Sequence, residues 1–320
     1  MDLPETRHLI AFTTVLQTGG FTRAAEALNL TQSALSHQIK TLEEQLGVQV
    51  FARIGKRTIL TQAGEILLKH ATIVLRELAD ASQSLLELRD PGRGRLRISA
   101  AGYSCYLLLP RILREFKSAY PRVELSVAAD YTGEAVQHLL EGILDVAILV
   151  APPPIRGLAF EPLAEDELFV IAPAEHPWAK RRRVRWAELA TQVLITYNKA
   201  SITHQLLMQR LAEERTGVPE TMEVREAEAV TEMVKVGLGI AVLPFWVVRA
   251  DLQARRLVAL PLGRTGLKRS WAISYVQGRQ LPPYSQTFIR ICRERFSALM
   301  EADAAGGIDI ESLRRVAHEA

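Results

Sequence analysis

Residues 21–53 read FTRAAEALNLTQSALSHQIKTLEEQLGVQVFAR, and the spacing of the apolar residues in them decides the fold of the N-terminal part. Phe21, Ala24, Ala25 and Leu28 share one face of a short helix. Asn29-Leu30 makes a tight connection, and Thr31 has the side chain of a helix N-cap. Leu35, Ile39, Leu42 and Leu46 follow at steps of four, three and four, a single buried stripe that Gly47 ends. Two short helices joined by a tight turn, with small Ala24-Ala25 where they approach, predict a helix-turn-helix. With the stripe buried, the outward face near the start of the later helix carries Gln32, Ser33, Ser36, His37 and Lys40. Short hydroxyls and an amide there can reach base edges in a major groove. A merely solvated helix shows the same polar face, so the weight falls on the neighbouring segments.

Upstream, Leu9, Phe12 and Val15 recur at helical spacing until Gly19-Gly20 stops them. Downstream, Val48 to Phe51 is strand-like, and Arg53, Ile54, Gly55, Lys56, Arg57 and Thr58 form a basic turn. A second strand-like run ends at Thr61. A β-ribbon wing with three cations beside a reading helix supplies the phosphate contacts that fix a protein on duplex DNA. Residues 1–61 carry six bases against five acids, so one copy is expected to bind weakly and in a salt-sensitive way. Residues 62–90 answer that need. Leu67, Ala71, Val74, Leu78, Ala81, Leu85 and Leu88 are separated alternately by four and three residues, a heptad seam along a helix of roughly 40 Å. The seam predicts a dimer; the alternative is packing against the C-terminal part of the same chain. The breaker run Asp90-Pro91-Gly92-Arg93-Gly94 closes this helix.

Beyond it, short apolar runs alternate with amphipathic helical stretches to about residue 300, the pattern of α/β units. LRISAA (96–101), VELSVAA (123–129) and LDVAILV (144–150) are strand-like. After Pro162 the strands are expected to begin again at Leu168–Ala172, Val193–Thr196, Met222–Arg225 and Ile240–Leu243, with Trp271–Val276 later. A peripheral helix or tail is expected over 302–320. Parallel strands feeding helices place helix N-termini at one sheet edge, where ligands bind in open α/β sheets. A cleft between two such edges suits a carboxylate or other small anion. The candidates are the turn Gly102-Tyr103-Ser104, Thr132, Asn198, Ser201 and Thr203, with Glu226 for an amino group; an ordinary N-cap is the alternative for each. Cys105, near a helix start, is a candidate thiolate and hence a redox switch.

The chain has 320 residues, 48% of them hydrophobic and 23% charged, with a net charge of +3. That suggests two or three folding units and excludes disorder, collagen and a small disulfide scaffold. No run of ~18 apolar residues predicts a membrane span. MDLPETRHLI lacks a signal pattern, and Cys105 and Cys292 lie 187 residues apart without a CxxC pair, so a reduced cytoplasmic setting is expected. Enzyme motifs fail. Gly102-Tyr103-Ser104-Cys105-Tyr106 lacks the last Gly of a nucleophile elbow. Gly237-Leu238-Gly239 enters a strand rather than a helix, and the histidines show no HxxxH spacing. Neither metal nor cofactor is expected beyond a small-molecule effector. A solute-binding protein of transport would share the two lobes but not the first 90 residues.

FTRAAEALNLTQSALSHQIKTLEEQLGVQVFAR, the following TQAGEILL and the later GLGIAVLP resemble the LysR-type bacterial transcription regulators. The resemblance implies an N-terminal winged helix-turn-helix with a long linker helix and a C-terminal α/β two-lobed effector domain like type 2 periplasmic binding proteins. The layout it implies is two lobes, 95–162 with 268–301 and 163–267, inside an effector-binding domain of 91–301. It implies double-stranded operator DNA, a homodimer or homotetramer and RNA polymerase as partners, and no membrane. The base-reading positions correspond to Gln32, Ser33 and Ser36, while His37 stands where many members have Arg. Arg53 and Lys56-Arg57-Thr58 match the backbone-contacting wing. Leu67, Val74, Leu78 and Leu85 lie on the linker-helix seam. SALSHQ, Ser104-Cys105, LITY (194–197) and LPFWVV (243–248) resemble the methionine-biosynthesis branch, whose effector would be homocysteine. Two departures fall near the expected pocket: Ala101 to Cys105 holds a single Cys where that branch has Cys-His-Ser-Cys, and Asn198 to Thr203 replaces an Arg-rich stretch.

Overall fold

The backbone of the helix-turn-helix follows its punctuation. The computed structural model describes residues 3–54, 57–89, 92–199, 201–224 and 226–301; the expected tail over 302–320 lies outside them. α1 (Thr6–Thr18) ends on Gly19 in the left-handed region, φ 73°. α2 (Phe21–Ala27) turns through Asn29, also left-handed at φ 54°. α3 (Gln32–Leu46) is capped by the Thr31 hydroxyl, which accepts from Ala34 N at 3.2 Å, a contact worth about 1 kcal/mol. Phe12, Val15, Ala24, Ala25, Leu35, Ile39 and Leu42 are buried together, as the spacing predicts.

The wing is shorter than expected. β1 (Phe51–Ile54) and β2 (Arg57–Leu60) pair antiparallel from Phe51↔Leu60 to Ile54↔Arg57. Val48 to Val50 do not join the ladder, and a carboxylate from α3 takes part of that role. Glu43 Oε1 accepts from Val50 N at 2.9 Å and from Phe51 N at 3.3 Å. Phe51 fastens the wing to the core, with ring centroids 5.2 Å from Phe12 and 5.6 Å from Phe21. α4 (Gln62–Arg89) starts under Thr61, whose hydroxyl accepts from Gly64 N. Gly64 must be glycine, since a Cβ there would lie 2.1 Å from the Val50 carbonyl oxygen.

The seam of α4 divides. Leu67, Leu68, Ala71 and Leu75 pack on the helix-turn-helix core, so Leu67, expected at a dimer interface, is drawn into its own unit. Val74, Leu78 and Leu85 stay exposed, Leu85 by 66%. The described backbone of α4 stops at Arg89; Asp90 and Pro91, within the expected break, lie outside the described residues.

The chain splits into two compact units near residue 91. The second contains β3 (Gly94–Ala100), α5 (Tyr103–Leu107), α6 (Leu109–Ala119), β4 (Val123–Ala128), α7 (Thr132–Leu140) and β5 (Val146–Val150). It continues with β6 (Leu158–Pro173), α8 (Trp186–Leu189), β7 (Val193–Tyr197), α9 (Ile202–Glu213), β8 (Glu220–Val224) and α10 (Ala227–Lys235). β9 (Ala241–Pro244), α11 (Phe245–Gln253), β10 (Leu257–Leu260), β11 (Leu267–Val276) and α12 (Pro283–Glu301) complete it. Lobe I is the parallel set β4-β3-β5 with β11 and β6 beside it. α12 returns to this lobe, where Phe288 meets Phe116 of α6 at 5.7 Å. Lobe II is built on β7 and β8, which pair parallel, a bridge from Leu194 to Ile240, and β9 and β10 on opposite edges of β6.

One expectation needs correction. The strands do not begin afresh after Pro162: β6 runs unbroken for 16 residues and pairs with β11 along ten register positions, serving both lobes. The register skips between Trp271 and Ala272, which face Ala164 and Pro162 and leave Leu163 as the extra residue. A proline is tolerated inside a strand at such a bulge because the ladder is already interrupted there. β5 alternates Val146, Ile148 and Val150 into one core with Ala147 and Leu149 into another, which explains its unbroken apolar run.

Candidate nucleic-acid interface and effector pocket

Burial of the α3 stripe leaves Gln32, Ser33, Ser36, His37 and Lys40 exposed. The Ser33 hydroxyl lies 3.0 Å from the capping Thr31 hydroxyl, the His37 ring lies 3.4 Å from the Thr41 hydroxyl, and Lys40 reaches Glu44 at 3.5 Å. None of these surface contacts is strong enough to withhold the groups from DNA. Gln32 and Ser36 stand one turn apart on the open face. In the wing, Arg53 sits opposite Thr58, and Arg57 opposite Ile54, in register. For the two arginines only these backbone positions are described, and Lys56 lies outside the described residues. Ser36→Trp is expected to remove operator preference, about 1–3 kcal/mol for each base no longer read, while affinity for scrambled DNA changes little. Fluorescence anisotropy with both duplexes measures this; unchanged preference would place base reading elsewhere.

In the second unit, the lobes meet over a small cavity of about 20 Å³. Lobe I contributes Gly102, Tyr103, Tyr131, Thr132 and Val150, lobe II contributes Ser201 to Thr203 and Trp246, and β11, which crosses between them, contributes Arg269 and Trp271. A wider opening of about 460 Å³ shares Gly102 and Tyr131 and is lined by Asn198, Glu134, Glu223 and Glu226. The structure thus brings Gly102, Tyr103, Thr132, Ser201 and Thr203 to the inner cavity and Asn198 and Glu226 to the outer one. Ser104 reaches neither: it is fully buried and donates to Ala101 O at 2.8 Å. Ser201 caps α9, accepting from His204 N at 3.2 Å. The Thr132 hydroxyl donates to Val150 O at 3.2 Å. Burial, then the nearby Lys199 charge, lowers the His204 pKa below the usual imidazole value.

The sequence reading missed the charged group at this cavity. Arg269 on β11 donates to both oxygens of Asp166 on β6 at 2.8 and 2.9 Å and to the Thr203 hydroxyl at 2.6 Å. Its guanidinium lies 4.8 Å from the Trp271 ring centroid, and Trp246 Nε1 donates to the same Asp166 at 2.9 Å. Arg269 and Asp166 side chains are 3% and 6% exposed, so the ion pair is dry and bidentate. The Trp271 indole N–H is buried without an acceptor among the described residues. A period-two signal was present: Leu267, Arg269, Trp271 and Ile273 alternate on one side of a strand, which puts the arginine among apolar neighbours.

Cys105 is corrected as well. Burial first, then the carboxylates of Glu228 and Asp130, push its pKa up rather than down, so the thiolate is disfavoured. The five-residue α5 cannot outweigh them. Cys292 is buried in the lobe I core, and burial pushes its thiol well above the usual value. Both cysteines are free.

Residues 89–297 match the family model described as LysR substrate binding domain, and residues 6–65 match that of the bacterial regulatory helix-turn-helix protein, lysR family. The chain is 30% identical over 282 residues to the RuBisCO operon transcriptional regulator of Allochromatium vinosum, spanning 88% of this chain and 93% of that protein. It is 32% identical over 290 residues to MetR of Escherichia coli K12, spanning 90% of each. Its fold resembles a full-length OxyR variant from Pseudomonas aeruginosa, with TM-score 0.68 and 24% identity over 94% of this chain and 96% of that one. It also resembles CbnR complexed with its target DNA, with TM-score 0.65 and 22% identity over 91% and 99%. The chain belongs to the LysR family of DNA-binding transcriptional regulators. These relatives are named as regulators, not enzymes, and no described helix is long and apolar enough to cross a membrane.

Proposed function

We propose that this regulator is switched by a small carboxylate or amino acid held between its two α/β lobes, and that it works in the cytoplasm without a further cofactor. The observation that carries the reading is the make-up of the inner cavity: Thr132, Thr203, the start of α9, the Arg269–Asp166 pair and an indole N–H that lacks an acceptor among the described residues. The indole N–H and the N-terminus of α9 on these walls favour an anionic oxygen. About 20 Å³ has room for little more than a water or one carboxylate oxygen, so the body of the ligand belongs in the wider opening. An ammonium there would face Glu223 and Glu226. MetR of Escherichia coli is among the relatives, and the sequence resembles the methionine-biosynthesis branch, but the residues at Ala101–Cys105 and Asn198–Thr203 differ from the pattern expected there; homocysteine is one amino acid for the screen, not the assigned effector.

Dimers formed through Val74, Leu78 and Leu85 would set two winged helices on the half-sites of an inverted repeat, with tetramers spanning two such sites. The effector must bind two arrangements of the assembly unequally, or it shifts nothing, and the response would pass to RNA polymerase through altered DNA bending. A thermal-shift screen of small amino and carboxylic acids tests the pocket. A ligand that raises the melting temperature should bind Thr203→Ala roughly ten- to a hundredfold more weakly, the effect of one hydrogen bond to a charged group. An equal shift in parent and variant would move the effector elsewhere.

A further inference from the structure

We propose that lobe II carries a second grip on the DNA backbone, made by the cation run Lys180-Arg181-Arg182-Arg183-Val184-Arg185. Between residues 174 and 188 five bases face two acids, Glu175 and Glu188, an excess equal to the net charge of the whole chain. The segment is held at both ends. Trp178 is buried at one side, and Arg181 N donates to Trp178 O at 2.8 Å. At the other side Val184 is fully buried, its N–H donating to Pro261 O and its carbonyl accepting from Gly263 N at 2.8 Å, with buried Trp186 beyond. Between these anchors Lys180, Arg181, Arg182 and Arg185 are exposed.

Glu188 is in contact with the run. It pairs with Arg181 at 2.6 Å and Arg185 at 3.4 Å and accepts from Arg185 N. Lys180 and Arg182 have no ion pair among the described residues. The patch therefore presents two cations without an ion pair among the described residues, Lys180 and Arg182, on a backbone anchored at both ends. None of the large exposed apolar side chains lies between residues 174 and 188. Protein partners dock through a desolvated apolar or aromatic centre, whereas a phosphate backbone needs only cations, so the surface suits duplex DNA rather than an acidic protein. The DNA unit needs such help, because its first 61 residues hold only one base more than acids. DNA already held by the winged helices is present at high local concentration.

The test uses the full-length protein and the double substitution Lys180→Ala/Arg182→Ala, with Arg182→Glu as a second variant. The slope of log Kobs against log[salt] is measured on a long operator fragment and on a scrambled one. Each phosphate no longer neutralised lowers the slope by ~0.9, so the double variant should lose up to about 1.8 on both fragments, keep its operator preference, and keep its melting temperature. Arg182→Glu should weaken both fragments alike. Slopes and affinities equal to the parent's on long DNA would overturn the proposal. So would unchanged slopes with lost transcription in a reconstituted polymerase assay, which would assign the patch to an acidic protein.

Discussion

Asp166→Ala should destabilise the second unit by about 3–5 kcal/mol, one of the two largest effects expected of a single substitution here. Arg269 stays buried beside Thr203 without its bidentate partner, and Trp246 loses its acceptor at the same time. The magnitude comes from the stranded charge more than from the missing attraction. Removing both members therefore separates the causes: Asp166→Ala/Arg269→Met should recover most of the stability, although effector binding should not return. Urea unfolding of the three proteins measures this. A drop under about 1 kcal/mol for Asp166→Ala would mean that water reaches the guanidinium, and the cavity would then not be the dry donor site described.

Leu78→Glu acts on the other unit. Leu78 is exposed on the seam of α4, one turn after Val74 and two turns before Leu85 on the same stripe. In a two-fold dimer the substitution would bring two carboxylates into an apolar contact, and neither could ionise without cost. Light scattering should find monomers, and operator affinity should fall by a factor of about 10² to 10⁴ as two linked grips become one. Ala79→Glu, one residue along and off the stripe, should leave both properties intact. A dimeric Leu78→Glu protein with parental operator affinity would remove the linker helix from the assembly.

The DNA-binding half was legible because its rules are local. Thr31, Gly19 and Gly47 sit where helix ends require them, and three-four spacing identifies Leu35, Ile39 and Leu42 as buried. What the sequence hid were side-chain substitutes for backbone pairing, such as Glu43 receiving two wing N–H groups, and the division of the α4 seam. Leu67 and Leu85 fit the same heptad, yet one faces its own core and the other water. In the effector half, residues at strand-to-helix turns could be named from topology, so Thr132, Ser201 and Thr203 arrive at the same cavity. Ser104 failed because a serine at a tight turn can satisfy itself locally, as its hydrogen bond to Ala101 shows. Arg269 and Asp166 lie 103 positions apart, and their register depends on the bulge at Leu163. No local rule fixes that alignment.

The two strands shared by both lobes set the mechanical character of the sensor. β6 and β11 enter the cores of both lobes and are hydrogen-bonded to each other along the crossing. Such a paired ribbon resists stretching and sideways bending but yields to torsion, most readily at Leu163 where its rungs are out of step. A ligand would therefore turn one half against the other like a stiff wrist, through a small angle and with little travel. A message of that kind is rotational, and it reaches any attached rod as a change of heading rather than of length.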